Sequence, residues 1–295
     1  MTGSSTAEPE PTRDALAAAR PEGVWLRGVR FDAVTEAASV ARVIDGLARG
    51  RGGWVVTSNL DHLRRAGRDA EFRRMVGAAD LVVADGAPLV WAARLQGTPL
   101  PERVAGSALV WSVADAAAGA GRSLFLLGGD PGTAEAAAAV LTQKYPGLRV
   151  AGTHCPPVGF EDDPRAMEAM RAAVRDSAAD VVYVALGSPK QERLIERLRA
   201  EGCLPDAWWM GVGISLSFIC GRVRRAPRWM QRMGLEWAHR MAQEPGRLAR
   251  RYLVDGIPFA AVLLGSSVWS RLKGSAGHAS GMGVCGTAEP SEVSR

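Results

Sequence analysis

The stretch Ser123-Leu124-Phe125-Leu126-Leu127-Gly128-Gly129-Asp130-Pro131-Gly132 decides the fold. A short apolar run breaks into a glycine-rich turn, and an alanine-rich segment beginning near Thr133 follows. That is the signature of a strand feeding a helix. Working outward, the same unit recurs at Trp54-Val55-Val56-Thr57, Leu81-Val82-Val83-Ala84, Val181-Val182-Tyr183-Val184-Ala185 and Trp208-Trp209-Met210, with alanine-rich helical stretches between them. Repeated βα units imply a mainly parallel sheet, because parallel strands need a crossover and the crossover is usually a helix. The expected fold class is therefore α/β, a Rossmann-like, mainly parallel sheet flanked by helices, with a C-terminal basic amphipathic helical appendage.

In such a sheet the strands end at one edge, and ligands bind there. The polar residues just after each run are the first candidates for a site: Thr57 to Asn59, Asp85-Gly86, Gly128 to Gly132, Gly187 to Glu192 and Gly211 to Ser215. The loop Gly128 to Gly132 does not have the GxGxxG spacing, and no acidic residue ends the next strand to hold a ribose, so a nicotinamide cofactor is disfavoured. The phosphate-cradling pattern of ATPases is absent as well. Two readings of this loop stay open, a phosphate seat on free helix N–H groups and a tight strand-to-helix turn. Asp85 also has two readings. It is a carboxylate where Gly86 lets a substrate come close, or the N-cap of a helix starting near Pro88. Thr57 and Asn59 offer a hydroxyl and an amide to sugar hydroxyls, or cap the helix that begins near Leu60. In Gly187-Ser188-Pro189-Lys190-Gln191-Glu192 a helix starts at the proline, with Gln191 facing the cleft or solvent.

A second stretch, Gly211 to Tyr252, holds nine arginines against Glu236 and Glu244, a local charge of 9 − 2 = +7. The whole chain carries +5, so the rest is about −2 and the basic character belongs to one patch. Local basicity of this kind points to phosphates or an anionic surface. A helix from Trp229 to Gln243 would align Trp229, Met233, Trp237 and Met241 on one face. Glu244-Pro245 restarts a helix, with Arg247, Arg250 and Arg251 beside Leu248, Tyr252 and Leu253. A basic face next to an aromatic and aliphatic face describes a helix in a membrane interface. The apolar run Leu253 to Trp269 is about the shortest that could span, and Asp255, Gly256 and Pro258 interrupt its start, so it is expected to lie on a bilayer.

The 295 residues divide into a disordered lead-in (1–20), an α/β core (21–221), a basic membrane-associating appendage (222–273) and a Gly/Ser-rich disordered tail (274–295). The lead-in lacks a secretory signal, which keeps the protein on the cytoplasmic side. Cys155, Cys203, Cys220 and Cys285 form no CxxC pair and no zinc site. No DxD occurs, and His62, His154, His239 and His278 share no motif with a nucleophile. No metal and no cofactor are expected.

Taken in order, Thr57-Ser58-Asn59, Ala84-Asp85-Gly86, Arg103-Val104-Ala105-Gly106-Ser107, Gly187-Ser188-Pro189-Lys190-Gln191-Glu192 and Gly211-Val212-Gly213 through Arg222 to Arg228-Trp229 and Gly234-Leu235-Glu236-Trp237 resemble the WecG/TagA/CpsF family of glycosyltransferases, glycosyltransferase family 26. The resemblance covers about Gly23 to Leu264. It implies an inverting, metal-independent transfer of a sugar, N-acetylmannosamine or another hexose, from a UDP-sugar to an undecaprenyl-diphosphate-linked sugar. The reaction would take place at the cytoplasmic face of the cell membrane, on a peripheral protein, in teichoic-acid, enterobacterial-antigen or capsule pathways. Asp85 then matches the proposed base, and Thr57, Asn59, Arg103 and Gln191 match polar site residues. Arg240, Arg247 and Arg250 of the appendage are expected to fold over the cleft and meet the diphosphate. Ala108 stands where the family often has an acidic residue, and Leu216-Ser217-Phe218 where it often reads Phe-Asp-Phe, which leaves the donor sugar unassigned. The expected partners are donor, lipid-linked acceptor and anionic membrane surface, without nucleic acid, and homo-oligomerisation stays open. A rival reading is a non-catalytic peripheral membrane or nucleic-acid binding protein, for which the basic tail alone would suffice. A third is an enzyme that only hydrolyses UDP-sugars.

Overall fold

A computed structural model describes residues 22–279. The lead-in 1–20 and positions 280–295 of the tail lie outside the described residues. Six strands form one sheet: β3 (Gly53–Ser58), β4 (Leu81–Ala84), β5 (Ser123–Gly128), β6 (Arg149–His154), β7 (Val181–Ala185) and β8 (Trp208–Gly211). Their order is β4-β3-β8-β7-β5-β6, and every neighbouring pair is parallel. This is the α/β, Rossmann-like arrangement the βα repeat predicts. The chain leaves β3 toward β4 on one side and β5 toward β6 on the other. The strand-end loops therefore diverge above the centre of the sheet, where open α/β folds place ligands.

Alternation along each strand builds two cores. Trp54, Val56, Val82, Phe125, Val182 and Trp209 pack on one face, against α2 (Leu60–Ala66), α3 (Ala70–Gly77), α4 (Ala87–Gln96), α7 (Pro164–Asp176) and α8 (Lys190–Ala200). Val55, Leu81, Leu124, Leu126, Tyr183 and Met210 pack on the other, against α1 (Glu36–Ala48), α5 (Gly106–Gly119) and α6 (Thr133–Lys144). Strands buried on both faces read as continuous apolar runs, which is why they are legible.

Two elements are not legible in that way. The edge strand β6 has no fully buried residue and lacks an apolar run. The antiparallel hairpin of β1 (Gly23–Leu26) and β2 (Val29–Asp32) covers the opposite edge. Its buried Asp32 accepts the Val82 N–H of β4 at 2.8 Å, which satisfies a donor that an edge strand leaves open.

The C-terminal segment starts with α9 (Ser215–Ile219), α10 (Arg228–Arg232), α11 (Glu236–Gln243) and α12 (Pro245–Ala249). A π-helical turn (Arg250–Gly256) then leads into α13 (Ile257–Ala279). The single helix expected from Trp229 to Gln243 is in fact two. Gly234 breaks it with φ of +73°, and a Cβ there would lie 2.6 Å from Ala87 Cβ of α4. Asp255 and Gly256 do not interrupt the last helix, because the π turn carries them. Asp255 pairs with Arg64 of α2 at 2.9 Å. Along α13, Leu263 is fully buried in the core and Phe259 packs on it, whereas Val262, Trp269 and Leu272 face outward. The stretch Arg250–Lys273 is long and apolar enough to cross a membrane; an 18-residue window within it has mean hydropathy 1.4 and is 11% buried. Helix α13 also runs to Ala279, into the stretch read from composition as disordered.

Candidate active site

Asp85 follows β4, and its backbone N–H still reaches Ser58 O of β3 at 2.8 Å. The connection from α4 to α5 folds back onto the same place, with Val104 N–H donating to Ala84 O at 3.0 Å. This brings the first N–H of α5 to Asp85, and Gly106 N donates to Asp85 Oδ2 at 3.0 Å. Asp85 does not cap α4, whose N-cap is Gly86 without a side-chain bond. It meets the N-terminal end of a different helix, where the helix dipole favours an anion. Oδ1 makes no hydrogen bond among the described residues and is left for a group in the cleft. Gly106 permits this approach. A Cβ there would lie 2.7 Å from Thr57 Oγ1 and 3.4 Å from Asp85 Oδ2, so Thr57, Asp85 and Gly106 form one tight contact.

Burial raises the Asp85 carboxyl above the usual carboxylate range, and nearby Glu236 adds to the rise. The Gly106 N–H, Arg103 and Arg225 pull the other way without cancelling it. Glu236 comes from α11 and reaches Arg103 Nη1 at 3.5 Å and Arg225 Nε at 3.1 Å. Arg225 Nη1 also donates to Ser107 O at 3.2 Å. The C-terminal segment is thus fixed over the site by charge, and its acidic residue touches the arginine of the Arg103–Ser107 motif.

Asn59 caps α2. Its Oδ1 accepts from Asp61 N at 3.0 Å and His62 N at 3.1 Å, which leaves only its amide N–H groups for a ligand. Thr57 lies inside β3 and caps nothing. Gln191 does not face solvent. It is 5% exposed, its Oε1 accepts from Gly213 N at 3.1 Å, and its Nε2 donates to Glu192 Oε1 at 2.9 Å. Burial would raise the Glu192 carboxyl, but His62 and Gln191 outweigh it and hold it below its ordinary value.

The arginines divide. Arg240 lies with its guanidinium 5.9 Å from the Phe218 ring, a cation–π distance, just beyond the end of β8. Arg251 pairs with Asp61 of α2 at 3.2 Å. Arg250 is exposed, and the side chain of Arg247 lies outside the described ones. The glycine loop is a strand-to-helix turn in which Gly129 N bonds Ala185 O at 2.8 Å. Arg222 covers it, donating to Pro131 O at 2.9 Å and to Thr133 Oγ1 at 2.6 Å. Among the described residues no three His, Cys, Asp or Glu side chains gather as metal ligands. A concavity of about 440 Å³, lined by Leu26, Arg27, Arg73, Gln96 and Ser267, contains none of the predicted site residues.

The sequence alone gave no role at the site to Glu236, Arg225 or His62, and Glu192 stood in a candidate strand-end stretch without a role of its own. Glu236 carried a signal, because it is the lone acidic residue between Arg222 and Gln243. His62 carried a faint one, its position three residues after a capping asparagine. Glu192 looked like an ordinary acidic residue in a first helical turn.

This arrangement sets one carboxylate with a free oxygen among strand-end amides and arginines, under a basic helical cover. The sequence pattern of the Glycosyl transferase WecG/TagA/CpsF family matches residues 24–273, which takes in every element from the hairpin through most of α13. The chain belongs to that family of glycosyltransferases, whose role is in cell-surface polymer synthesis.

Proposed function

We propose that the protein transfers a hexose, of the N-acetylmannosamine type or another, from a UDP-sugar to an undecaprenyl-diphosphate-linked sugar, with inversion and without a metal. One observation carries this reading: Asp85 has one oxygen held by Gly106 N and the other free, beside Thr57 and two arginines. Asp85 takes the proton of the acceptor hydroxyl as that oxygen bonds to the anomeric carbon. The bond from that carbon to the UDP oxygen breaks, and its electron pair leaves with the diphosphate. The raised Asp85 carboxyl suits a base working nearer neutrality than a free aspartate does.

The growing charge on the diphosphate is met by arginine, whose planar fork suits phosphate oxygens. Arg103 and Arg225 already meet one carboxylate, that of Glu236, at the cleft. Arg240, Arg247 and Arg250 of the C-terminal segment are assigned the same role by this reading. Thr57, Asn59, Gly86 and Gln191 line the sugar side, Asn59 through its free amide N–H groups and Gln191 through its remaining N–H.

The protein works as a peripheral protein on the cytoplasmic face of the membrane. The outward Val262, Trp269 and Leu272 of α13, with exposed Trp229 and Met233, support contact with lipid, and the arginines support contact with anionic headgroups. A panel of UDP-sugars with prenyl-diphosphate-linked N-acetylglucosamine in detergent tests the reading. UDP release with a matching gain in acceptor mass is expected. UDP release without that gain would make the enzyme a hydrolase, and no UDP release from any donor would overturn the proposal.

A further inference from the structure

His62 and Glu192 have no part in the chemistry above, yet both are almost fully buried, at 5% and 2% exposure, directly behind it. Asn59 N–H donates to His62 Nδ1 at 3.2 Å. A nitrogen that accepts carries no proton, so the neutral ring has its proton on Nε2. Nε2 faces Glu192 Oε1 at 3.5 Å, and the same Oε1 accepts from Gln191 Nε2 at 2.9 Å. Gln191 Oε1 in turn accepts from Gly213 N at 3.1 Å. One line of polar contacts therefore runs from the end of β3, through the start of α8 after β7, to the loop after β8. The contact of 3.5 Å is its longest step and is electrostatic rather than a close hydrogen bond.

We propose that His62 and Glu192 are positioning residues, a buried pair that locks the three strand-end loops together and so fixes where Asn59 and Gln191 stand in the cleft. The local explanations cover each residue alone. His62 completes a capping box on α2, and an acidic residue favours the first turn of α8. Neither explains why the two side chains meet. An exposed glutamate would serve the helix dipole equally well, and a buried carboxylate is costly unless its partners are in place. His62 also packs at 5.7 Å from the Phe72 ring, so the pair sits on the core and not on a loose loop. A polar pair retained at that depth supplies registry between loops that leucines would not.

The assignment of Asn59 and Gln191 to the sugar side rests on the proposed function, whereas the link between the loops does not. The test uses the full chain and measures amide hydrogen exchange without substrate, then kcat and KM. In Glu192→Leu, exchange at both the Gly213 and the Asn59 amides should rise about fivefold or more, although neither amide touches Glu192. Glu192→Gln should leave both near the wild-type rate, because its amide oxygen replaces Oε1. In transfer, Glu192→Leu and His62→Leu should each lower kcat/KM about tenfold or more, and the double variant should fall no further than the worse single one. Should the leucine variants not fold, Glu192→Asp, which keeps the charge but withdraws the carboxylate, carries the same expectation. Faster exchange at Gly213 alone, additive losses, or Glu192→Gln as damaging as Glu192→Leu would overturn the proposal. A wild-type protein that transfers no sugar would overturn the functional reading and leave the exchange result to decide the link.

Discussion

Glu236 Oε2 lies 3.5 Å from Arg103 Nη1, so a residue of the C-terminal segment neutralises the arginine that stands beside Asp85. Beyond burial, three charges then act on the proposed base, since Arg103 and Arg225 lower the Asp85 carboxyl and Glu236 raises it. Glu236→Gln should move the acidic limb of the kcat/KM profile to lower pH. Arg103→Gln should move it to higher pH, besides weakening donor binding. Profiles of both variants against wild type check the sign, and a limb that moves in neither would remove Asp85 as the titrating group.

Asp85→Asn should cut kcat by roughly 10² to 10⁴-fold, because the amide keeps the bond to Gly106 N but accepts no proton. It should also stabilise the protein near neutral pH. A carboxyl whose folded pKa is raised contributes its stability below the unfolded pKa and loses it as pH rises through the folded one. Wild type carries that loss at neutrality and the amide does not. Melting curves at neutral and acidic pH should show a higher Tm for the variant that shrinks on acidification.

Gly106→Ala should damage the site more than the fold. The new methyl would press on Thr57 Oγ1 at 2.7 Å, and relief requires Thr57, Asp85 or the start of α5 to shift. Overpacking of this kind costs about 1 to 3 kcal/mol of stability. A misplaced base costs about 100-fold in rate. Urea unfolding alongside steady-state kinetics separates the two effects, and near-wild-type turnover would show that the contact is slack.

The two faces of α13 should answer differently. Leu263→Ala empties a fully buried position and should cost about 2 to 5 kcal/mol in urea unfolding. Trp269→Ser with Leu272→Ser should leave stability almost unchanged, weaken sedimentation with anionic vesicles, and spare transfer to a short-chain, water-soluble acceptor. Vesicle binding that survives the second pair would move the membrane contact elsewhere. The burial of Leu263 also means that a chain truncated before Arg222 should lose core stability instead of becoming a better-behaved soluble domain.

Transfer should persist in EDTA, since arginine supplies the countercharge in the proposed site. Loss on chelation with recovery on adding magnesium or manganese would reveal a metal in the reaction.

The sequence by itself determined five of the six strands of the sheet and the place of Asp85 at its ligand edge. Strands buried on both faces must be apolar throughout, so β3, β4, β5, β7 and β8 announce themselves, and a carboxylate after such a strand falls at the ligand edge wherever the helices go. It also determined the basic patch, because charge count is local. Partnership was a matter for the tertiary structure alone. Whether Asp85 caps α4 or receives the Gly106 N–H depends on where a later connection returns. Whether Gln191 faces solvent or braces Gly213 depends on how β8 lies beside β7. Glu236, Arg225, His62 and Glu192 acquire their positions only through contacts between segments distant in sequence, and hydrophobic periodicity carries no record of such contacts. The close approach of Gly234 to α4, which splits the expected helix in two, is decided by the same kind of packing.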